Sequence, residues 1–319
     1  RAQDLCLAVA SSVYCLLVAF SFRLNVRGFA CCHDMGIDNR SFFYAVTIAI
    51  GAMNAVIKPA IHSIDHDGFW SASFNLFNVH PVMVGVLLLC IALIYDRRDV
   101  HGLSKKDLLA ITFTLVGLLI PSATMSWLFI GLFGLYLASR QSITPVQRSG
   151  AVILLVAGLR EPFMTFLLQV FNSEVLALDA TFTALLLSAF QDSVTAQGNM
   201  ILAGNTVRLV VLTSCSSLAN LSFAMLFWFA VSRAISSSIS REMLVACGAI
   251  VVSMVALNIV RLTMMASSSA QYAIIHESIG KTSFAIIMVT TVSLLTVWGL
   301  RNVEKHTDSH RAHIDSGTV

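Results

Sequence analysis

Long apolar runs, set apart by short polar stretches, dominate the chain. They predict nine helical spans, at 5–22, 41–57, 81–95, 108–120, 122–139, 151–171, 215–232, 244–260 and 283–300. None sustains a period of two, which argues against barrel strands, and a helix satisfies its own backbone in lipid. Only Pro121 and its polar neighbours Ser122 and Thr124 separate the fourth run from the fifth, and the fourth is short. That pair reads either as two spans with a very tight turn or as one kinked or re-entrant element.

Between 172 and 214 the pattern is mixed. Asn172-Ser173-Glu174 is polar, Leu176–Leu187 is apolar, and Gln191-Asp192-Ser193 and Gly198-Asn199 are polar again. β-branched residues within 200–213 predict strand-like or re-entrant backbone. The segment is too polar to be a further span. The tail, rich in His, Asp and Ser, predicts disorder. The chain therefore divides into N-terminal spans (1–150), a second group of spans (151–300) and a tail (301–319).

Composition decides what the runs are for. Of 319 residues, 57% are hydrophobic and only 12% charged, with mean hydropathy +0.81. Soluble domains carry about 25% charged residues, so this chain lacks the material for a polar coat. The expected fold is all-α, a polytopic integral membrane helix bundle. A net charge of +3 without a basic patch excludes a nucleic-acid-binding surface.

Basic residues orient the bundle. Fourteen fall on one side: Arg23, Arg27, Arg40, Arg97, Arg98, Lys105, Lys106, Arg140, Arg148, Arg233, Arg241, Arg301, Lys305 and Arg311. Five fall on the other: Arg1, Lys58, Arg208, Arg261 and Lys281. The first side is expected to be cytoplasmic, which puts the segment 172–214 outside. The sequence begins at Arg1 rather than Met, which leaves room for residues before it, and no separate cleavable signal peptide is read. Its seven cysteines are odd in number and lack a disulfide spacing. Apart from Cys215, which begins one run, four of them lie inside apolar runs, as small hydrophobes do.

Three features converge on the outer face. Cys215 lies where a loop enters a helix, in Thr213-Ser214-Cys215-Ser216-Ser217, and the positive end of a helix dipole favours thiolate; a buried, inert thiol is the ordinary alternative. Arg261 closes Asn258-Ile259-Val260-Arg261 at the outer end of a span, with Asn258 one turn inward on roughly the same face. An arginine there commonly snorkels to headgroups, yet it runs against the charge bias. His276, in His276-Glu277-Ser278-Ile279-Gly280, precedes the last span; a lone loop histidine is more often incidental. Together they place a nucleophile, a fixed cation and a base at the ends of three consecutive spans, which tend to be neighbours. That is the minimum set for acyl transfer.

Arg160-Glu161-Pro162 puts two charges and a proline inside a span, where polar groups face protein or water. Adjacent helical positions do not face each other, so these two are not expected to form a simple ion pair. Cys31-Cys32-His33-Asp34 does not match zinc spacing. His62 and His66 are four apart and can share a helix face, but with Phe69, Trp70 and Phe74 nearby the segment reads rather as an interfacial anchor. No metal site is expected.

With these residues in view, the stretch from about 151 to 300 resembles the exosortase/archaeosortase family of membrane-embedded cysteine transpeptidases. The resemblance rests on Arg160-Glu161-Pro162, Cys215-Ser216-Ser217, Asn258 to Arg261, and His276 to Gly280, in that order and on the expected sides. Ser217 departs from the pattern, which usually has Gly there. The resemblance implies a multi-pass inner-membrane enzyme with an extracytoplasmic active site and neither metal nor organic cofactor. Its partner would be a protein with a C-terminal Pro-Glu-Pro-type signal, a membrane helix and a basic tail, in systems that often accompany exopolysaccharide production. Cys215 would form a thioester, Arg261 would stabilise the oxyanion and His276 would move the proton; Asn258, Arg160 and Glu161 would support the site or line the substrate path. The competing reading is a non-enzymatic transporter or exopolysaccharide export component, dependent on Arg160 or Glu161 and indifferent to Cys215.

Overall fold

The computed structural model describes residues 39–315 except 75–78, 97–100, 121, 204–205, 237–238 and 277. The predicted span 5–22 and the Cys31–Asp34 cluster lie outside the described residues. The chain is a multi-pass α-helical membrane protein. Among the described residues, five helices are long and apolar enough to cross a membrane. They are α1 (Arg40–Asp67, through its first 18 residues), α6 (Pro145–Leu187), α7 (Ser217–Ile235), α8 (Arg241–Ser267) and α10 (Ser278–Asp315, over Thr282–Arg301).

The expected count of about nine spans is not confirmed: the span 5–22 lies outside the described residues, and three of the described helices are short. α3 (Pro81–Ile94) and α5 (Ala123–Ser139) are apolar but have 14 and 17 residues. α4 (Lys105–Gly117) has 13, about 20 Å at 1.5 Å per residue against a hydrocarbon core of about 30 Å. It forms a helical hairpin with α5, which fits the re-entrant alternative better than two full spans. α10 continues through 302–315, where composition predicts disorder; extending an existing helix avoids the cost of nucleation.

The helices fall into two units. The first holds α1, the short α2 (Phe69–Phe74), α3, α4, α5, the start of α6 and residues 233–237. Its polar end is closely specified. Asn39 caps α1 by accepting from Ser41 N–H at 2.9 Å, and its amide donates to the Asp96 carbonyl at 2.7 Å. Arg40 donates to Ser142 Oγ and carbonyl at 2.9 and 2.7 Å. Gln147 Nε2 reaches the Ile94 carbonyl at 3.1 Å. The helix ends that charge bias assigns to one side of the membrane therefore meet. At their centre Asp107, fully buried, accepts from Tyr44 (2.8 Å), Tyr136 (2.6 Å) and Ser104, and pairs with Arg140 at 3.2 Å. Burial alone would raise its carboxyl, but the hydrogen bonds from Ser104, Tyr136 and Tyr44 outweigh it and hold the pKa at about 2. Elsewhere in this unit α5 crosses α6 at Gly131 and Gly158, where a side chain on either glycine would meet the other helix's backbone; small residues permit such approach in membranes.

The second unit holds the rest of α6, a small sheet, α7, α8, α9 (Ser269–His276) and α10. α6 joins the predicted span 151–171 to the apolar stretch after it, with a kink at Phe171 (φ −117°, ψ 22°). Antiparallel strands β1 (Val194–Gln197), β2 (Met200–Ala203) and β3 (Thr206–Val210) follow, in keeping with the strand expectation for 200–213. Their inward residues Ile201 and Leu209, with Val211 beyond β3, share a core with Leu176, Ala180, Leu187, Leu262, Met265, Ile275 and Phe284. That core anchors the turn carrying Cys215 to the ends of α8 and α9.

Candidate active site

Cys215 is the last residue of a single 3-10 turn, Thr213–Cys215, that leads into α7. Val211 N–H donates to the Asn199 carbonyl at 2.8 Å and Cys215 N–H to the Leu212 carbonyl at 2.8 Å, so the approach is pinned at both ends. Ser216 is the helix N-cap, its hydroxyl accepting from Leu218 N–H at 3.1 Å. Ser217 N–H donates to a carboxylate oxygen of Asp179 at 2.8 Å. The first two donors of α7 are thus already satisfied, and the helix dipole acts on Cys215 beside a buried carboxylate rather than alone.

Asn258 holds the turn from α8. It is fully buried, and its Nδ2 donates to the Cys215 carbonyl at 2.9 Å and to Ser217 Oγ at 3.0 Å. Its Oδ1 accepts from Asn220 Nδ2 at 3.1 Å. Ser217, where the resemblance implies glycine, has its hydroxyl in the clamp. One turn further along α8, Arg261 is partly buried, and its Nε is covered without a hydrogen-bond partner among the described residues. Cys215 itself packs against the core cluster that contains Leu262 and Ile275, the sequence neighbours of Arg261 and His276.

His276 ends α9 and is exposed, its ring stacked on Tyr272 at 4.9 Å and 11°. No hydrogen bond joins it to Cys215 or Arg261 among the described contacts. Catalytic hydrogen bonds are often made only once substrate is present. The position of α9 is set by Gly280, where any side chain would collide with the Ile274 carbonyl and with Ile275. Gly280 lets the start of α10 lie directly on the last turn of α9.

Arg160 and Glu161 belong to the first unit. Contrary to the expectation from their adjacency, they pair at 2.9 Å. Helical spacing governs Cβ directions, but the long arginine stem can curl back to the neighbouring carboxylate. His80, the N-cap of α3, accepts from Val82 N–H through Nδ1 at 3.3 Å. Burial first, and then the charge of Arg160, lowers its pKa to about 4. His62 and His66 lie on the helical end of α1, stacked 6.3 Å apart, and among the described residues no group of three potential ligands is present.

Asp179, Asn220 and Tyr272 escaped the sequence reading. Each left a signal: Asp179 is the one carboxylate between Glu174 and Asp192, Asn220 lies in the first turn after the cysteine, and Tyr272 stands four residues before His276.

Comparison with known proteins adds one match. A sequence model of the transmembrane exosortase (EpsH) family matches residues 74–293, more than two thirds of the chain and every candidate site residue. No curated protein and no solved structure matches.

Proposed function

The chain belongs to the transmembrane exosortase family, and we propose that it is a cysteine transpeptidase or protease acting on a C-terminal sorting signal at the extracytoplasmic face. The observation that carries this reading is the buried clamp from Asn258 to Cys215 and Ser217. It fixes the nucleophile's turn to the same helix, α8, that presents Arg261 one turn away.

In this mechanism the Cys215 thiolate attacks the scissile carbonyl and the oxygen takes up the negative charge. Arg261 donates to that oxygen; its buried Nε has no hydrogen-bond partner among the described residues, which supports this role. Collapse of the tetrahedral species expels the amine, which takes a proton from His276, and leaves a thioester on Cys215. His276 then removes a proton from the incoming acceptor amine or water, and attack on the thioester releases the thiolate. The substrate is a membrane-anchored protein with a Pro-Glu-Pro-type signal and a basic tail, and the product is tied to exopolysaccharide-producing systems. Arg160 and Glu161 are proposed to line the substrate path.

The test is made in the host cell, with wild type and Cys215→Ala expressed equally and a protein bearing such a tail followed by gel mobility. The tail should stay attached only in the variant. Processing that persists in Cys215→Ala, with loss of export in an Arg160 variant, would instead favour the transporter reading.

A further inference from the structure

A cavity of about 300 Å³ lies in the first unit, at the ends of α3, α6 and α7. Arg148 and Arg233 line it, together with Ser149 and Ser236. Among the described residues, no carboxylate lines it. Leu93, Val146 and Ile235 supply an apolar flank. Arg148 is exposed and fixed by one guanidinium nitrogen, which donates to the Arg140 carbonyl at 3.1 Å. Arg233 sits in the last turn of α7. Pro145, also in the wall, is the first residue of α6, so the positive end of a long helix adds to the two cations. All of this lies on the side where the chain concentrates its Lys and Arg.

Two guanidinium groups, two hydroxyls and a helix N-terminus above apolar side chains match one ligand chemistry: a phosphodiester attached to acyl chains. Basic pockets between membrane helices take such headgroups, and Arg suits phosphate through its paired donors. We propose that this cavity is a binding site for the headgroup of an anionic phospholipid. The site is separate from Cys215 and does not depend on the activity proposed for it. Free phosphate would be attracted by the two cations but leave Leu93, Val146 and Ile235 uncovered, which favours the lipid.

The experiment uses the full chain in mild detergent and measures retention of phosphatidylglycerol against phosphatidylcholine by native mass spectrometry. Wild type should prefer phosphatidylglycerol by about tenfold or more, given the contribution of each basic residue near anionic lipid. The Arg148→Gln/Arg233→Gln double variant should lose that preference, and Arg301→Gln, at an exposed arginine outside the cavity, should keep it. Val146→Trp fills the cavity and retains both arginines; it should also lose the preference, and it decides the matter if the double variant fails to fold. Equal retention of both lipids by wild type, or an unchanged preference in Val146→Trp, overturns the proposal. Displacement of the lipid by millimolar inorganic phosphate alone would assign the site to free phosphate and overturn it as well.

Discussion

Asn258 donates to the backbone carbonyl of Cys215 at 2.9 Å from a fully buried position, 43 residues further along the chain. The contact couples the order of the cysteine turn to the rotation of α8, and so to where Arg261 points. Asn220 fixes the amide's orientation through Oδ1. Asn258→Asp keeps the volume but removes both donated hydrogen bonds and sets a carboxylate against the Cys215 carbonyl. Leaving such groups unsatisfied costs about 1–3 kcal/mol. Processing should fall by about ten- to a hundredfold in Asn258→Asp, with less change in substrate affinity than in turnover, read from a kinetic split of kcat and KM.

Arg261 is proposed to serve through its planar donors and not through charge alone. Arg261→Lys retains the cation but shortens its reach and loses the fork. Loss of one oxyanion donor typically costs about a hundred- to a thousandfold in turnover. The variant should bind substrate and process it slowly; near-normal turnover would show that a point charge is enough.

Gly280 permits the contact between α10 and the last turn of α9. The Cβ of Gly280→Ala has only backbone to displace, so the end of α9 must shift and carry His276 with it. Turnover should drop while Cys215 still reacts with a thiol reagent in the folded protein. A fully active Gly280→Ala would mean that the placement of His276 is not critical.

Asp107 governs the acid stability of the first unit. Its folded pKa, about 2, lies below the ordinary 3.8. The stabilisation it gives is complete above about pH 4 and is lost as pH falls toward 2, because the unfolded chain takes up the proton first. The magnitude is roughly 2 kcal/mol. Asp107→Asn should lower Tm at pH 7, and the difference from wild type should shrink on acidification through that window, as followed by thermal unfolding in detergent.

Hydropathy made the long helices legible because a span is a local, repeated property of composition. It left 108–120 open, since an apolar run does not reveal where a helix stops, and α4 ends at Gly117. β-branched residues marked the sheet, whereas its role as the lid of the core around Cys215 depends on pairings that no local pattern displays. For the candidate site, the short motifs pointed to Cys215, Asn258, Arg261 and His276. Asp179 was missed because it acts on a backbone N–H 38 residues away. The Arg160–Glu161 pair was misread because spacing rules describe Cβ vectors and not the reach of a long side chain.

Cys215 is proposed to carry the acyl group during turnover. The direct measurement is acid-quenched mass spectrometry of the full-length protein turning over a tailed substrate, with the Cys215 peptide isolated. An adduct on Cys215 with the mass of the cleaved acyl portion is expected, released by hydroxylamine and absent from Cys215→Ala. Substrate cleavage without any adduct there, or cleavage by Cys215→Ala itself, would contradict it.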